Sequence, residues 1–488
     1  AAKFAEIDLS PEKVSNHDMG YAFENLIRRF SELSNETAGH HFTPREVIRL
    51  MVNLLLAPDE AQLTTPGIVK TVFDPACGTG GMLTAAKEFI LEHNPHATVV
   101  PYGQELTPES YAICKSDMMI KGDDADKIKL GNSFSHDKHH GKTFDYLLAN
   151  PPFGVKWEKV KDYIEDEARL GFAGRFGAGL PRISDGSLLF LQHMIHHMKR
   201  PEDGGSRLAI VFDGSPLFTG GPESGESKIR KWILENDWLE AIVALPDQLF
   251  YNTGISTYFW ILTNRKDPAH QGKVILLDAR DSWAKMRKSL GDKRKYIPNE
   301  EIAKLTQLYS EALTAAEDES HPMHDKVKVF SSRDFGYQRI TVERPLRLRF
   351  EVTDDALAKL EVAKPLTRYS ERQKLIDLLR GLVGRPALYR KAEFATLLME
   401  TLAPLGKLPP AVEKAIWSAV SVSDPEGELQ TDRHGKPLAD PDLRDYENIP
   451  LDNDIDDYMR REVLPHVPDA WVDHTKTKIG YEIPFNRY

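Results

Sequence analysis

The spacing of apolar residues along the chain switches repeatedly between two periods, and the switching predicts a layered α/β fold. Short apolar runs rich in β-branched and aromatic residues occupy residues 68–73, 98–104, 128–131, 144–149, 208–212, 239–245, 257–262 and 273–277. These are strand lengths. Between them lie stretches with helical spacing: 43–54 (Val47, Leu50, Met51, Leu54), the Ala-rich segment from Met82, a segment opening at Thr107-Pro108-Glu109, then 188–198 and 228–234. Strand alternating with helix is the pattern of a doubly wound, mostly parallel sheet. Ahead of it, Met19, Phe23, Leu26, Ile27 and Phe30 fall on one face of a helix at 18–30, a packing stripe without visible chemistry. Residues 298–316 read as a helix and 327–330 as a strand; beyond Arg344-Pro345-Leu346 the pattern turns helical (356–362, 373–382, 392–402, 455–463), interrupted by a polar, turn-rich stretch at 423–445. The expected division is a helical segment at 1–60, a sheet domain at 61–345 and a mainly helical region at 346–488.

Two turns in this scheme carry candidate chemistry. The first strand ends at Asp74-Pro75-Ala76-Cys77-Gly78-Thr79-Gly80-Gly81, where glycines let backbone approach a ligand. It is neither the dinucleotide fingerprint nor a phosphate loop. The second strand ends at Glu105, placed to accept two ribose hydroxyls. The run at 144–149 stops at Asn150-Pro151-Pro152-Phe153, because prolines cannot donate to a ladder. That puts an amide, two carbonyls and an aromatic ring at a strand's carboxyl end, groups suited to a planar base with an exocyclic amine. Alone, the same tetrapeptide reads more readily as a strand ending in a Pro-Pro turn. The glycine bend, the acid and this turn, in that order, give the stronger signal.

These three motifs resemble the cofactor, ribose and catalytic motifs of S-adenosylmethionine-dependent DNA amino-methyltransferases. With His41-Phe42-Thr43-Pro44-Arg45 ahead of the glycine bend, the order resembles the N6-adenine group that includes the modification subunits of type I restriction enzymes. The likeness runs on through Ser184–His193, Lys228–Trp232 and Leu245–Ile255, covering roughly residues 18 to 280. It implies a seven-stranded methyltransferase sheet and methyl transfer to N6 of a flipped-out adenine in double-stranded DNA. Catalytic roles fall on Asn150, Pro151, Pro152 and Phe153. Cofactor contacts fall on His41, Phe42, Thr43, Pro44, Arg45, Asp74, Ala76, Cys77, Gly78, Thr79, Gly80, Glu105, Asn132 and Ser133, with no metal required. Expected partners are a specificity subunit, a second copy of the chain and a motor-nuclease restriction subunit. The alternatives are an N4-cytosine, RNA or protein-amide methyltransferase, and a methyltransferase-like scaffold without activity.

Composition narrows this further. A hydrophobic content of 41% and a charged content of 28% describe a water-soluble globular chain, and no apolar run has membrane-span length. Two cysteines cannot build a disulfide framework, which fits a reducing cytoplasm. A net charge of −11 is unusual for a protein that grips DNA alone, so the cationic surface is expected to be local or supplied by a partner. Local clusters exist. Residues 156–182 mix Lys156, Lys159, Lys161, Arg169, Arg175 and Arg182 with glycines, and read as a mobile loop offering Trp157 and Phe172 for stacking, or as plain solvated loop. A second basic run spans 265–295. His193, His196 and His197 read as a helix surface, for want of an acid at ligand spacing. Thr43-Pro44-Arg45-Glu46 reads as a capping box with proline at the first helical position.

Overall fold

The computed structural model describes residues 13–14, 43–251 and 253–485; the expected helix at 18–30 and residues His41 and Phe42 lie outside them. The chain divides into two compact units, residues 1–337 with 479–488, and residues 338–478. Among the described residues no helix is long and apolar enough to cross a membrane.

The first unit is built on one mixed sheet. Its strands are β1 (Val69–Asp74), β2 (Thr98–Glu105), β3 (Ile128–Leu130), β4 (Tyr146–Ala149), β5 (Arg207–Phe212), β6 (Leu239–Ala244), β7 (Tyr258–Thr263) and β8 (Lys273–Asp278). A separate hairpin of β9 (Ala284–Leu290) and β10 (Lys293–Tyr296) precedes the ninth sheet strand, β11 (Val327–Ser331). The order across the sheet is β11-β8-β6-β7-β5-β4-β1-β2-β3. β1 runs parallel to β2 and β4, and β4 parallel to β5, whereas β7 is antiparallel to both β5 and β6. The sheet expected to hold seven strands therefore holds nine. β8 pairs parallel on β6, and β11 closes that edge antiparallel to β8. The closing strand turns Lys328 and Ser331 outward, a polar edge that blunts further pairing.

The central strands β5, β6 and β7 are buried along their whole length, which is why they read as unbroken apolar runs rather than as alternation. Helices cover the sheet: α1 (Arg45–Leu56), α2 (Gly81–His93), α3 (Pro108–Ile120), α4 (Lys161–Ala168), α5 (Ser187–His196), α6 (Gly225–Glu235) and α7 (Asn299–Ser310). α1 buries Val47, Leu50, Met51, Leu54 and Leu55 completely, at about 1.5–3 kcal/mol for each large side chain. Its start differs from the expected capping box. Pro44 is the N-cap and no side chain caps the helix, because Thr43 and Glu46 have other partners, described below. The helix expected over 298–316 breaks at Glu311, resuming as Ala312–Glu317.

The second unit has its own apolar cores. One gathers Phe350, Leu357, Leu375, Leu379, Phe394, Val412 and Ile416; another gathers Ile340, Val342, Ile449, Met459 and Val463. Helices dominate it, but Arg347–Phe350 pairs antiparallel with Ser421–Ser423 and Glu428–Leu429.

Candidate active site

A cavity of about 1720 Å³ lies at the carboxyl ends of β1, β2 and β4. Ligands sit at this edge of open α/β sheets. The bend after β1 builds one wall. Gly78 has φ of +55°, and a Cβ there would meet nothing within 4 Å, so the backbone presents open space to a ligand. Gly80, at φ +88°, is the N-cap of α2 and stands off the wall; a Cβ on it would come within 2.8 Å of Cys114 Sγ. Both cysteines are free and buried.

Glu105 closes β2 with its carboxylate turned back on the bend: Oε2 accepts from Gly78 N at 2.8 Å and Oε1 from Thr107 N at 2.8 Å. Each oxygen keeps a lone pair for a further donor. Asp74 is buried and accepts from Ala76 N at 2.9 Å; burial, with the Glu105 charge beside it, pushes its carboxyl up to about 8. Ser133 is tied to the same bend through its Oγ, which donates to Pro75 O at 2.6 Å. Asn132 Oδ1 accepts from Phe134 N at 2.8 Å, which leaves its amide nitrogen for other contacts.

The opposite wall carries Asn150. Its Nδ2 donates to Thr43 Oγ1 at 2.8 Å, and this fixes the direction of the amide. Asn150 Oδ1 is buried and has no hydrogen-bond partner among the described residues. A buried acceptor left unmet costs about 1–3 kcal/mol, so a site that holds one is shaped for a donor. Twelve of the expected residues line the cavity: Thr43, Arg45, Asp74, Ala76, Cys77, Gly78, Thr79, Glu105, Asn132, Ser133, Asn150 and Pro152. Pro44, Gly80, Pro151 and Phe153 do not. The Phe153 ring packs edge-on against Phe250, with centroids 6.1 Å apart, because the core beside it takes the apolar surface.

Several sequence expectations fail here for a common reason, partners distant in the chain. Arg175 does not belong to a loose basic loop. It is buried, its Nε and Nη2 bind Glu167 at 2.7 and 2.6 Å, and its Nη atoms donate to Ser133 O and Phe134 O at 2.6 and 2.7 Å. Trp157 is buried too, with Nε1 donating to Arg182 O at 3.0 Å, so it offers no stacking face. Phe172 remains exposed, with its ring 5.7 Å from that of Trp232.

His193 and His197 are not a helix surface either. Both are fully buried, and Asp137 Oδ2 stands 3.2 Å from His197 Nε2. Ligand atoms of Asp137, His193 and His197 lie within 4.8 Å of one another. Arg175 Nη1 donates to His193 Nδ1 at 3.0 Å, which places that ring's proton on Nε2, and His197 Nδ1 donates to Lys142 O at 2.7 Å. Burial, with His197 and Arg175 beside it, holds His193 neutral, well below its ordinary range. Burial opposes ionisation of Asp137, yet the two adjoining imidazoles hold its carboxyl below the usual carboxylate range. The facing atoms Asp137 Oδ2, His193 Nε2 and His197 Nε2 have no hydrogen-bond partner among the described residues, so the three side chains form a buried polar cluster between the segment after Ser133 and α5.

The Glu105 carboxylate, an open glycine bend and an orphaned amide oxygen thus line one cleft. The chain belongs to the N-6 DNA methylase family, whose sequence model matches residues 14–335. Over 308 residues it is 28% identical to the methylase subunit of the type I restriction enzyme MjaIX of Methanocaldococcus jannaschii, covering 63% of this chain and 51% of that relative. Over 264 residues it is 31% identical to the HindI methylase subunit of Haemophilus influenzae, covering 54% of each. A crystal structure of a type I restriction-modification methyltransferase subunit from Streptococcus thermophilus matches with a TM-score of 0.54 at 26% identity, over 68% of this chain and 64% of that one. The chain spans about half the length of the curated relatives it matches.

Proposed function

We propose that this chain transfers a methyl group from S-adenosylmethionine to N6 of an adenine flipped out of double-stranded DNA. It would do so as the methylation subunit of a type I restriction-modification assembly. A separate specificity subunit would choose the site, a second copy of the chain would share the complex, and a motor-nuclease subunit would join it. Residues 346–488 are assigned to subunit contact, apart from 479–485, which pack on the sheet unit. The observation that carries the reading is Asn150 Oδ1, a buried acceptor without a donor, in the same cavity as the Gly78 bend and Glu105.

The residues present fit the cofactor. Gly78 leaves a cradle that a Cβ would fill, Glu105 keeps acceptors for ribose hydroxyls, and Asn132 keeps an amide for the adenine. Bound there, S-adenosylmethionine supplies an electrophilic methyl group on a sulfonium. The chain's part is to make an amine nucleophilic. The adenine amine is weak because its lone pair is delocalised into the ring. Asn150 Oδ1 would accept one of its hydrogens and the Pro151 carbonyl, although Pro151 is not part of the cavity lining, would accept the other, favouring a pyramidal nitrogen with the lone pair freed. Thr43, by holding Asn150 Nδ2, keeps the oxygen aimed inward. Positioning and preorganised dipoles then lower the barrier without a covalent intermediate. An adenine inside the duplex cannot reach this turn, so the base must leave the stack.

Replacing Asn150 by Ala is expected to cut transfer of radiolabelled methyl groups to DNA by about 10²–10³-fold, the usual loss for one preorganised polar contact. Affinity for S-adenosylmethionine, read by calorimetry, should stay within a few-fold. Normal turnover in that variant would refute the assigned role, and methylcytosine or modified RNA as the product would move the reading to a different amino-methyltransferase.

A further inference from the structure

The hairpin β9–β10 is absorbed neither by the fold nor by the site. It belongs to no other sheet, and its register slips between Lys293 and Lys295. Over 284–296 it carries Lys285, Arg287, Lys288, Lys293, Arg294 and Lys295 against the lone carboxylate Asp292, in a chain of net charge −11. These cations divide into two sets. Lys293 is buried and paired with Glu46 of α1, and its Nζ also donates to Leu249 O at 2.9 Å. Lys295 is paired with Asp247 and lies 4.0 Å from the centre of the Trp283 ring. The turn is pinned as well: Asp292 N donates to Tyr251 O at 2.9 Å, Arg294 N to Gln248 O at 2.9 Å, and a Cβ on Gly291 would strike Tyr251 O at 2.3 Å. The hairpin is thus fastened to the unit by its inward cations and its turn.

The outward set is different. Lys285, Arg287, Lys288 and Arg294 are exposed, and among the described residues none has an ion-pair partner. Four unpaired cations on a fixed support, surrounded by an acidic molecule, form a local anion-binding face. Its position says which anion. A groove of about 400 Å³ under the hairpin is lined by Arg287, Lys288 and Tyr296, and shares Thr43 and Arg45 with the main cavity. Thr43 is the residue that holds Asn150, so the groove leads directly from the methyl-acceptor end of the site.

Resting on the reading above, we infer that the β9–β10 hairpin clamps the sugar-phosphate backbone flanking the extruded adenine, through Lys285, Arg287, Lys288 and Arg294. A polyanion with regularly spaced charges fits this face. A base flipped into the cavity leaves its neighbouring phosphates at the cavity's mouth, where the groove begins. The clamp also explains how an acidic chain takes part in DNA contact: the cationic surface is concentrated beside the site.

The test compares the wild-type chain, purified with any subunit that accompanies it, with K285Q/R287Q/K288Q/R294Q and with the charge-keeping K285R/R287K/K288R/R294K. Binding to a fluorescein-labelled DNA duplex is titrated across salt concentrations, and methyl transfer to the same duplex is followed in parallel. Each phosphate contact contributes about 0.9 to the slope of log K against log salt. The glutamine variant is therefore expected to show a slope shallower by about 2–3, and a KM for DNA raised about ten-fold or more. The charge-keeping variant should track the wild type, and unchanged calorimetric binding of S-adenosylmethionine would certify an intact cavity. An unchanged slope and KM in the glutamine variant would overturn the clamp while leaving methylation of DNA standing. So would equal losses in the two variants, or loss of an accompanying subunit with the slope preserved, which would mark a protein-docking face. A wild-type chain that binds duplex with the expected slope and still methylates no DNA would sink the proposed reaction instead.

Discussion

Asp74 shows what one buried side chain dictates. Its carboxyl titrates near 8 in the folded protein, against about 3.9 in an unfolded chain, so the folded state holds a proton that the unfolded state releases between those values. The stability this gives is fully present below about pH 4 and is lost as pH rises toward 8. Asp74→Asn, which cannot titrate, should flatten this part of the dependence. The fall in melting temperature from pH 5.5 to pH 8.5 is expected to be smaller in the variant than in the wild type, and equal falls would show that Asp74 is ionised throughout. Phe153 gives a second residue-level test. Phe153→Leu keeps an apolar contact on Phe250 but removes any aromatic face for a base. An unchanged melting temperature with a DNA KM raised several-fold is the outcome expected if the ring turns to meet the base; an unchanged KM would assign it to packing alone. Legibility at this scale follows sequence distance. Asp74, Gly78, Glu105 and Asn150 were readable because each is marked by its immediate neighbours at a strand end. Arg175 and the Asp137–His197 pair were not, since their meaning lies in partners some 40 to 60 residues away.

At the scale of elements, the segment between α4 and α5 shows how a charge pattern can mislead. Its glycines and arginines suggested a loose loop, yet Arg175 crosses from it to two carbonyls on the cavity's rim and balances Glu167. Removing one partner of a buried ion pair costs about 3–5 kcal/mol. Arg175→Ala should lie near the lower figure, because the Glu167 side chain is 22% exposed and water can partly replace the guanidinium. The accompanying effect is the informative one. With Ser133 and Phe134 released, affinity for S-adenosylmethionine should weaken several-fold in protein still folded at low temperature, and calorimetry on that protein would show it. Central strands were legible because burial on both faces demands unbroken apolar runs. The hairpin was not. β9 alternates half-buried with exposed positions only over Ala284–Arg287 and then exposes Arg287, Lys288 and Ser289 in succession, so no period of two runs through it. The capping box at Thr43 misread for a related reason: Thr43 and Glu46 have the right spacing for a cap, but Asn150 and Lys293 claim both side chains.

For the whole molecule, the decisive feature is that the second unit is an insertion in the first. Residues 479–485 return to the sheet unit after 338–478, and nothing in their composition announces it. Their hold is specific. Tyr481 O accepts from the buried Arg230 Nε at 2.5 Å, Glu482 N donates to Phe335 O at 3.0 Å, and Ile483 N to Leu217 O at 2.8 Å. Arg230 depends on this, because burial already pushes its guanidinium down to about 10. A chain ended after residue 478 would leave that cation short of an acceptor, a loss of about 1.5–3 kcal/mol. It would also uncover the sites of Tyr481 and Ile483, both buried, at about 1.5–3 kcal/mol each. The truncated protein is therefore expected to melt well below the full chain, and the damage should fall on the sheet unit rather than on 338–478. Hydrogen exchange can locate it: loss of protection concentrated in α6, which carries Arg230, is the expected pattern. If protection fell only within 338–478, the strap would be an ornament of the second unit and not a closure of the first.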